Sequence, residues 1–157
     1  MSGAVRGAEA GGGKGAPAGE GAPRGERTVG AEVASAEGRS GRHAPTRVEK
    51  PWGHELIWAR SGRYVGKVLH VKAGHALSLQ YHEHKDETIH LLTGRMRFWA
   101  GPSRDHLEEV LLQAGDSYRI VPGTIHRMEA VTDVDILEAS TPELDDVVRL
   151  EDRYGRS

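Results

Sequence analysis

Cysteine is absent from this chain of 157 residues, which excludes disulfides, thiolate metal sites and thiol redox chemistry. Aromatic residues are scarce, with three Trp, four Tyr and one Phe, and none precedes Trp52. The longest unbroken apolar run is the four residues from Leu56 to Ala59. No segment approaches the length of a membrane-spanning helix, and the first thirty residues lack the hydrophobic stretch of a secretory signal. An excess of basic charge is missing too: 21 Lys and Arg stand against 23 Asp and Glu, for a net charge of -2 and a pI near 6.5. That argues against nucleic-acid binding and against a polybasic membrane contact. The expectation left is a soluble cytoplasmic protein.

Glycine is plentiful but unevenly placed, with 12 of its 21 residues before position 42. Residues 1–44 are otherwise mostly Ala, Glu, Arg and Ser, a composition that cannot bury enough apolar surface to offset the entropy of ordering it. This stretch is expected to be a disordered tail, and residues 45–157 a single domain.

Order should begin near Val48 to Gly53. Short runs with β-branched and aromatic residues follow at 56–58, 64–71, 77–82, 87–92, 95–100, 108–112, 117–121, 126–131 and 134–139. Their spacing, with Gly, Pro or Asp between many of them, predicts an all-β sandwich or barrel. Thr93-Gly94 reads as the turn of a hairpin joining 87–92 to 95–100. Lys67 shares a strand face with Leu69 and Val71; if those two face inward, Lys67 either meets an anion inside or lies at a barrel mouth with its head in water. The mixed-charge end, 141–156, reads as a solvated closing helix or strand.

Chemistry concentrates between Gly74 and Glu87. Gln80 and His82, two residues apart on a strand, point to one face, and Glu87 arrives from the next strand after a tight turn. His126 is the natural fourth ligand. Two imidazoles, a carboxylate and an amide oxygen suit Zn²⁺, Mn²⁺, Fe²⁺ or Ni²⁺, with Zn²⁺ the first choice. The bland alternative is that these are solvent-exposed hairpin histidines.

The same residues resemble the cupin motifs. Gly74 is followed by five residues, Gln80-Tyr81-His82, four residues, Glu87, six residues and Gly94, with Gln80 in place of the first histidine of H-x-H. The second motif is similar to Gly115-Asp116, Pro122-Gly123 and His126. Using His82-x-His84 as the pair would break the spacing on both sides, which leaves His84 either behind the ligands or on the substrate side. The resemblance implies a cupin-type double-stranded β-helix, a jelly-roll barrel with the ion inside. Edge strands of such barrels are commonly covered by pairing, which points to a homodimer.

A narrower resemblance covers residues 48–156. Pro51-Trp52-Gly53, Arg63-Tyr64 with Lys67, Leu77 to His82, His126-Arg127 and Arg149 to Arg156 are similar to the C-terminal isomerase domain of type II mannose-6-phosphate isomerases. The turn departs from that family, with Glu83, Lys85, Asp86 and Thr88 in place of its histidines and aromatic. The resemblance implies aldose–ketose interconversion of a phosphosugar through an enediol. The ion would stabilise the oxyanion, Arg127 and Arg149 would hold the phosphate, and Lys67 would contact the substrate and stabilise the enediolate or transfer a proton. His84 or Glu83 would move the proton. The segment before the domain is too short for the nucleotidyltransferase to which this domain is often fused, so GDP-mannose synthesis is not expected. Competing readings are a metal oxygenase, a metal-free sugar epimerase and a non-catalytic sugar-binding cupin.

Overall fold

Alternation of apolar and polar side chains builds this fold. Between Arg95 and Gly101, Met96, Phe98 and Ala100 are buried while Arg95 and Arg97 are exposed, the period-two pattern of a strand with one face on a core. The computed structural model describes residues 40–156, so most of the expected tail lies outside the described residues. Eleven strands are formed there: β1 (Thr46–Lys50), β2 (Gly53–Arg60), β3 (Val65–Val71), β4 (Leu79–Tyr81), β5 (Glu87–Thr93), β6 (Arg95–Gly101), β7 (Glu108–Gln113), β8 (Ser117–Ile120), β9 (Ile125–Ala130), β10 (Val134–Ser140) and β11 (Val148–Glu151). Among the described residues there is no helix, and so none long and apolar enough to cross a membrane.

The strands form two antiparallel sheets, ordered β1-β2-β3-β10-β5-β8 and β11-β4-β9-β6-β7. Neighbours far apart in sequence, such as β3 beside β10 and β4 beside β9, give the expected jelly-roll architecture. Three local readings are changed or resolved. Thr93-Gly94 does not close a hairpin: β5 belongs to the first sheet and β6 to the second, so the chain crosses between them there. Gly94 makes that crossing at φ +80°, where a Cβ would lie 2.3 Å from the Asp133 carbonyl oxygen. Residues 46–50, too polar to stand out as a strand, form β1 by pairing with β2. The mixed-charge end contributes β11, which pairs with β4.

The core is built from Trp52, Leu69, Val71, Ile89, Leu91, Met96, Phe98, Met128 and Ile136, among others. Continued along the same inward faces, however, the pattern turns polar. Lys67 precedes Leu69, Glu87 precedes Ile89, His126 precedes Met128, and Glu138 and Ser140 follow Ile136, all of them buried. The registers Gln80↔His126, Ser140↔Glu87 and Glu138↔Lys67 bring these positions to the same part of each sheet. One end of the sandwich interior is therefore apolar and the other is charged. Burying charge is costly unless it is paired or ligated, so the charged end is where function is sought.

Candidate metal centre

His82 follows β4 in the second sheet, His126 sits on β9 beside it, and Glu87 opens β5 in the first sheet. The turn 83–86 carries the chain across the interior, so Glu87 faces the two histidines rather than lying along their ladder. His82 Nε2 and His126 Nε2 each lie 3.4 Å from Glu87 Oε1, and the three ligand atoms are all within 4.8 Å of one another. His82 and His126 are 1% exposed and Glu87 3%.

Both rings are oriented from behind. His82 Nδ1 donates to the Asp146 carbonyl and His126 Nδ1 to the Thr124 carbonyl, the latter at 3.0 Å. A carbonyl only accepts, so each Nδ1 carries the hydrogen and each Nε2 presents a lone pair. Neither Nε2 has a hydrogen-bond partner, and both are buried. Two imidazole lone pairs and a carboxylate oxygen thus converge with no donor among them, an arrangement that a cation resolves. Ligand atoms of a tetrahedral ion with bonds of about 2.0–2.2 Å stand about 3.3–3.6 Å apart, close to the two separations from Glu87 Oε1, so the residues fit a divalent ion. Burial would push the Glu87 carboxyl up, but the Lys85 ammonium that donates to it favours the ionised form and holds it below the usual carboxylate range.

The turn between the sheets is held by a residue that sequence reading missed. The Asp146 carboxylate accepts from the backbone N–H groups of Glu83, His84 and Lys85 at 2.9, 2.7 and 2.7 Å. Burial works against that charge, yet the three N–H groups outweigh it and bring the Asp146 carboxyl down to about 2. The same residue therefore fixes the turn with its side chain and His82 with its backbone. No local signal marks it, because it lies in the charged stretch before β11, far along the chain.

The other sequence-derived candidates separate. Gln80 is directly opposite His126, and Arg149 directly opposite Gln80, so the three share the inward face of the second sheet. Gln80 Oε1 accepts from Ser78 Oγ at 2.6 Å. Arg127, one residue from His126, points to the other face, where it donates to Glu151 at 2.9 Å and lines an outer cleft with Trp99 and Leu107. Arg127 and Arg149 are thus not brought together. Glu83 and His84 sit on the exposed turn, and neither supplies an atom to the buried cluster. Lys67 does face inward, and the anion it meets at 3.7 Å is Glu138.

Lys85, apparently part of a polar turn, is 4% exposed and donates to both Glu87 Oε2 and Glu138 Oε1, the latter at 2.7 Å. Burial opposes its charge, but Glu138 and Glu87 outweigh that and raise its pKa. Glu138 carries a signal that was available in the sequence, a carboxylate at an inward position of an alternating strand. Next to His126, on the side of the Thr124 carbonyl, is a cavity of about 560 Å³ lined by Ala100, His106, Glu108, Tyr118 and the 122–124 turn, and none of His82, Glu87 and His126 lines it. Ala100 is directly opposite His126 in the β6–β9 ladder, and Phe98 bridges Tyr118 and His126 at ring distances of 4.5 and 6.3 Å.

A family model described as the mannose-6-phosphate isomerase C-terminal domain matches residues 37–152. The chain belongs to that family. Relatives of the chain include the mannose-1-phosphate guanylyltransferase ManC of Salmonella typhimurium, 35% identical over 80% of this chain and 26% of that protein. The xanthan biosynthesis protein XanB of Xanthomonas campestris is 31% identical over 83% of the chain and 28% of its own length. The alginate biosynthesis protein AlgA of Pseudomonas aeruginosa is 31% identical over 78% and 25%. The chain spans about a quarter of the length of these relatives. Among solved structures, KdgF from a Halomonas species superposes with a TM-score of 0.55 at 20% identity, over 66% of this chain and 92% of that one. A Bacillus subtilis oxalate decarboxylase with Mn(II) centres gives a TM-score of 0.59 at 22% identity over 69% of this chain and 30% of that one. At these identities the likeness establishes the fold.

Proposed function

We propose that this chain is a metal-dependent sugar-phosphate isomerase that interconverts an aldose and a ketose phosphate through an enediol. The observation that carries the reading is the convergence of two unpartnered, buried imidazole nitrogens on one carboxylate oxygen. Family membership supports it. His82, His126 and Glu87, with Gln80 as the fourth, are the residues that would hold the ion, with Zn²⁺ the first choice. When bound, a divalent ion supplies a Lewis acid for the oxyanion that develops as the enediol forms.

The remaining roles fall to side chains of the chain itself. Arg149, on the face of Gln80 and His126, is assigned the phosphate, because guanidinium pairs with it bidentately. Arg127 is engaged on the outer face and is left out of that role. The proton leaving the carbon beside the carbonyl is assigned to Glu108, which lines the cavity, and it returns to the neighbouring carbon from the same carboxyl group, while the hydroxyl proton passes from one enediol oxygen to the other. Glu83 and His84, on the exposed turn, give way to it in this assignment.

The test is elemental analysis of the purified chain, with a mannose 6-phosphate to fructose 6-phosphate assay after each candidate ion is added back. Interconversion that depends on the ion is expected. Retained ion with no turnover of any hexose phosphate would overturn isomerisation. The names of the relatives support a second reading, a domain that binds a sugar phosphate in the service of sugar-nucleotide assembly; saturable binding of mannose 6-phosphate without turnover selects it.

A further inference from the structure

Four charged side chains are buried behind the candidate centre. Lys85 and Lys67 both reach Glu138 Oε1, at 2.7 and 3.7 Å, and Lys85 also holds Glu87 Oε2. The side chains of Lys85, Glu87 and Glu138 are 3–5% exposed, and that of Lys67 10%. Two ammonium groups match two carboxylates, so the quartet is neutral. Such a quartet is a poor device for stability alone, since well-packed apolar side chains of similar volume commonly do as well or better. What it does uniquely is geometric. Glu87 has one oxygen tied to Lys85 and the other 3.4 Å from both imidazole nitrogens.

Resting on the metal reading given above, we propose that Lys85, anchored by Glu138, is a positioning residue that confines Glu87 to a single donor oxygen. A carboxylate free to turn chelates through both oxygens and raises the coordination number, which suits Mn²⁺ and other oxygen-seeking ions. A carboxylate with Oε2 occupied offers Oε1 alone, which keeps the coordination number low and favours Zn²⁺ or Co²⁺. Lys85 reaches its place because Asp146 binds the backbone N–H of Lys85 together with those of Glu83 and His84. Glu138 then holds the ammonium from the neighbouring strand, β10. The clamp acts on the ligand's second oxygen and touches no reacting atom.

The experiment strips the full chain, reloads it with Co²⁺ and records its visible ligand-field absorption, alongside a Zn²⁺ against Mn²⁺ competition. Lys85→Met alone leaves two carboxylates facing one ammonium and can fail to fold, so the decisive variant is Lys85→Met with Glu138→Gln, which keeps the interior neutral. Near-UV circular dichroism verifies its packing. The wild-type chain is expected to give the intense absorption of low-coordinate Co²⁺, and the double variant the weak absorption of higher coordination, with its preference for Zn²⁺ over Mn²⁺ reduced by about 10–100-fold. Lys85→Arg, which keeps a cationic donor, is expected to restore the wild-type spectrum. A folded double variant with unchanged spectrum and unchanged preference overturns the positioning role and leaves the metal reading standing. A wild-type chain that takes up no ion overturns both.

Discussion

Gln80 and His126 stand directly opposite one another, and theirs is the pairing that registers β4 on β9. The Gln80 amide oxygen is steered by Ser78 Oγ at 2.6 Å, on the same strand face. If that oxygen is a ligand, loosening it weakens the ion without removing it. Ser78→Ala is expected to lower Zn²⁺ affinity by about 10–100-fold, the usual effect of losing an outer hydrogen bond to a ligand. A chelator competition titration measures it, and unchanged affinity in both Ser78→Ala and Gln80→Ala would remove Gln80 from the ligand set.

Loss of either imidazole leaves too few donors to hold a divalent ion against dialysis. His82→Ala and His126→Ala are therefore each expected to emerge from purification with little bound metal, and Glu87→Gln with markedly less than the wild type. Elemental analysis decides it. Full metal content in both alanine variants would place the ion elsewhere.

Phe98 joins the apolar and charged ends of the interior, fully buried and in ring contact with Tyr118 and His126. Phe98→Ala is expected to cost about 3–5 kcal/mol of folding stability, through lost burial and the cavity left behind. Urea denaturation followed by fluorescence measures the loss; a cost under about 1 kcal/mol would mean that the site collapses around the gap.

At Gly94 the chain changes sheets at φ +80°, and an added Cβ would meet backbone at 2.3 Å. Gly94→Ala is expected to lower stability by at least about 1–3 kcal/mol, the usual cost of a non-glycine residue in such a conformation. A thermal melt shows it as a lower midpoint, and an unchanged midpoint would mean that the Asp133 backbone yields.

Acid stability has an identifiable contributor in Asp152. Burial alone would raise its carboxyl, but hydrogen bonds from Arg156 and from the backbone N–H groups of Arg156 and Tyr154 bring it from 3.8 to about 2. A depressed folded-state value means that the unfolded chain binds the proton first as pH falls. The contribution is therefore complete above about pH 4 and lost between there and about pH 2. Asp152→Asn is expected to lower the melting midpoint at pH 6 and to flatten its fall over that window, as measured by melts at half-unit intervals.

Much of the fold could be read from alternation. The strands at 64–71, 87–92, 95–100 and 134–139 reappear within a residue or two as β3, β5, β6 and β10, because each carries an inward stripe that only a strand can bury. Thr93-Gly94 misled because turn chemistry says that the chain reverses, not which sheet it joins next. A two-residue step placed only Gln80 and His82 on one face; the grouping of Glu87 and His126 with His82 was suggested by the turn and the cupin resemblance, since no local pattern brings two sheets together. Lys85, Glu138 and Asp146 were not recognised, for different reasons. A turn lysine looks solvated, an inward glutamate shows only once the strand's facing is known, and the Asp146 contacts cross more than sixty residues.

The dependence of His82 on Asp146, 64 residues further along the chain, also orders events during synthesis. A ribosome releases the segment from Gln80 to Glu87 well before the carbonyl that steers the His82 ring, and His126 emerges in between. Until residue 146 clears the exit tunnel, the half-built cage has an unsteered imidazole and an unfastened turn. Any ion that this cage takes up would thereby wait until residue 146 has emerged, and a product truncated before it would be a poor metal scavenger.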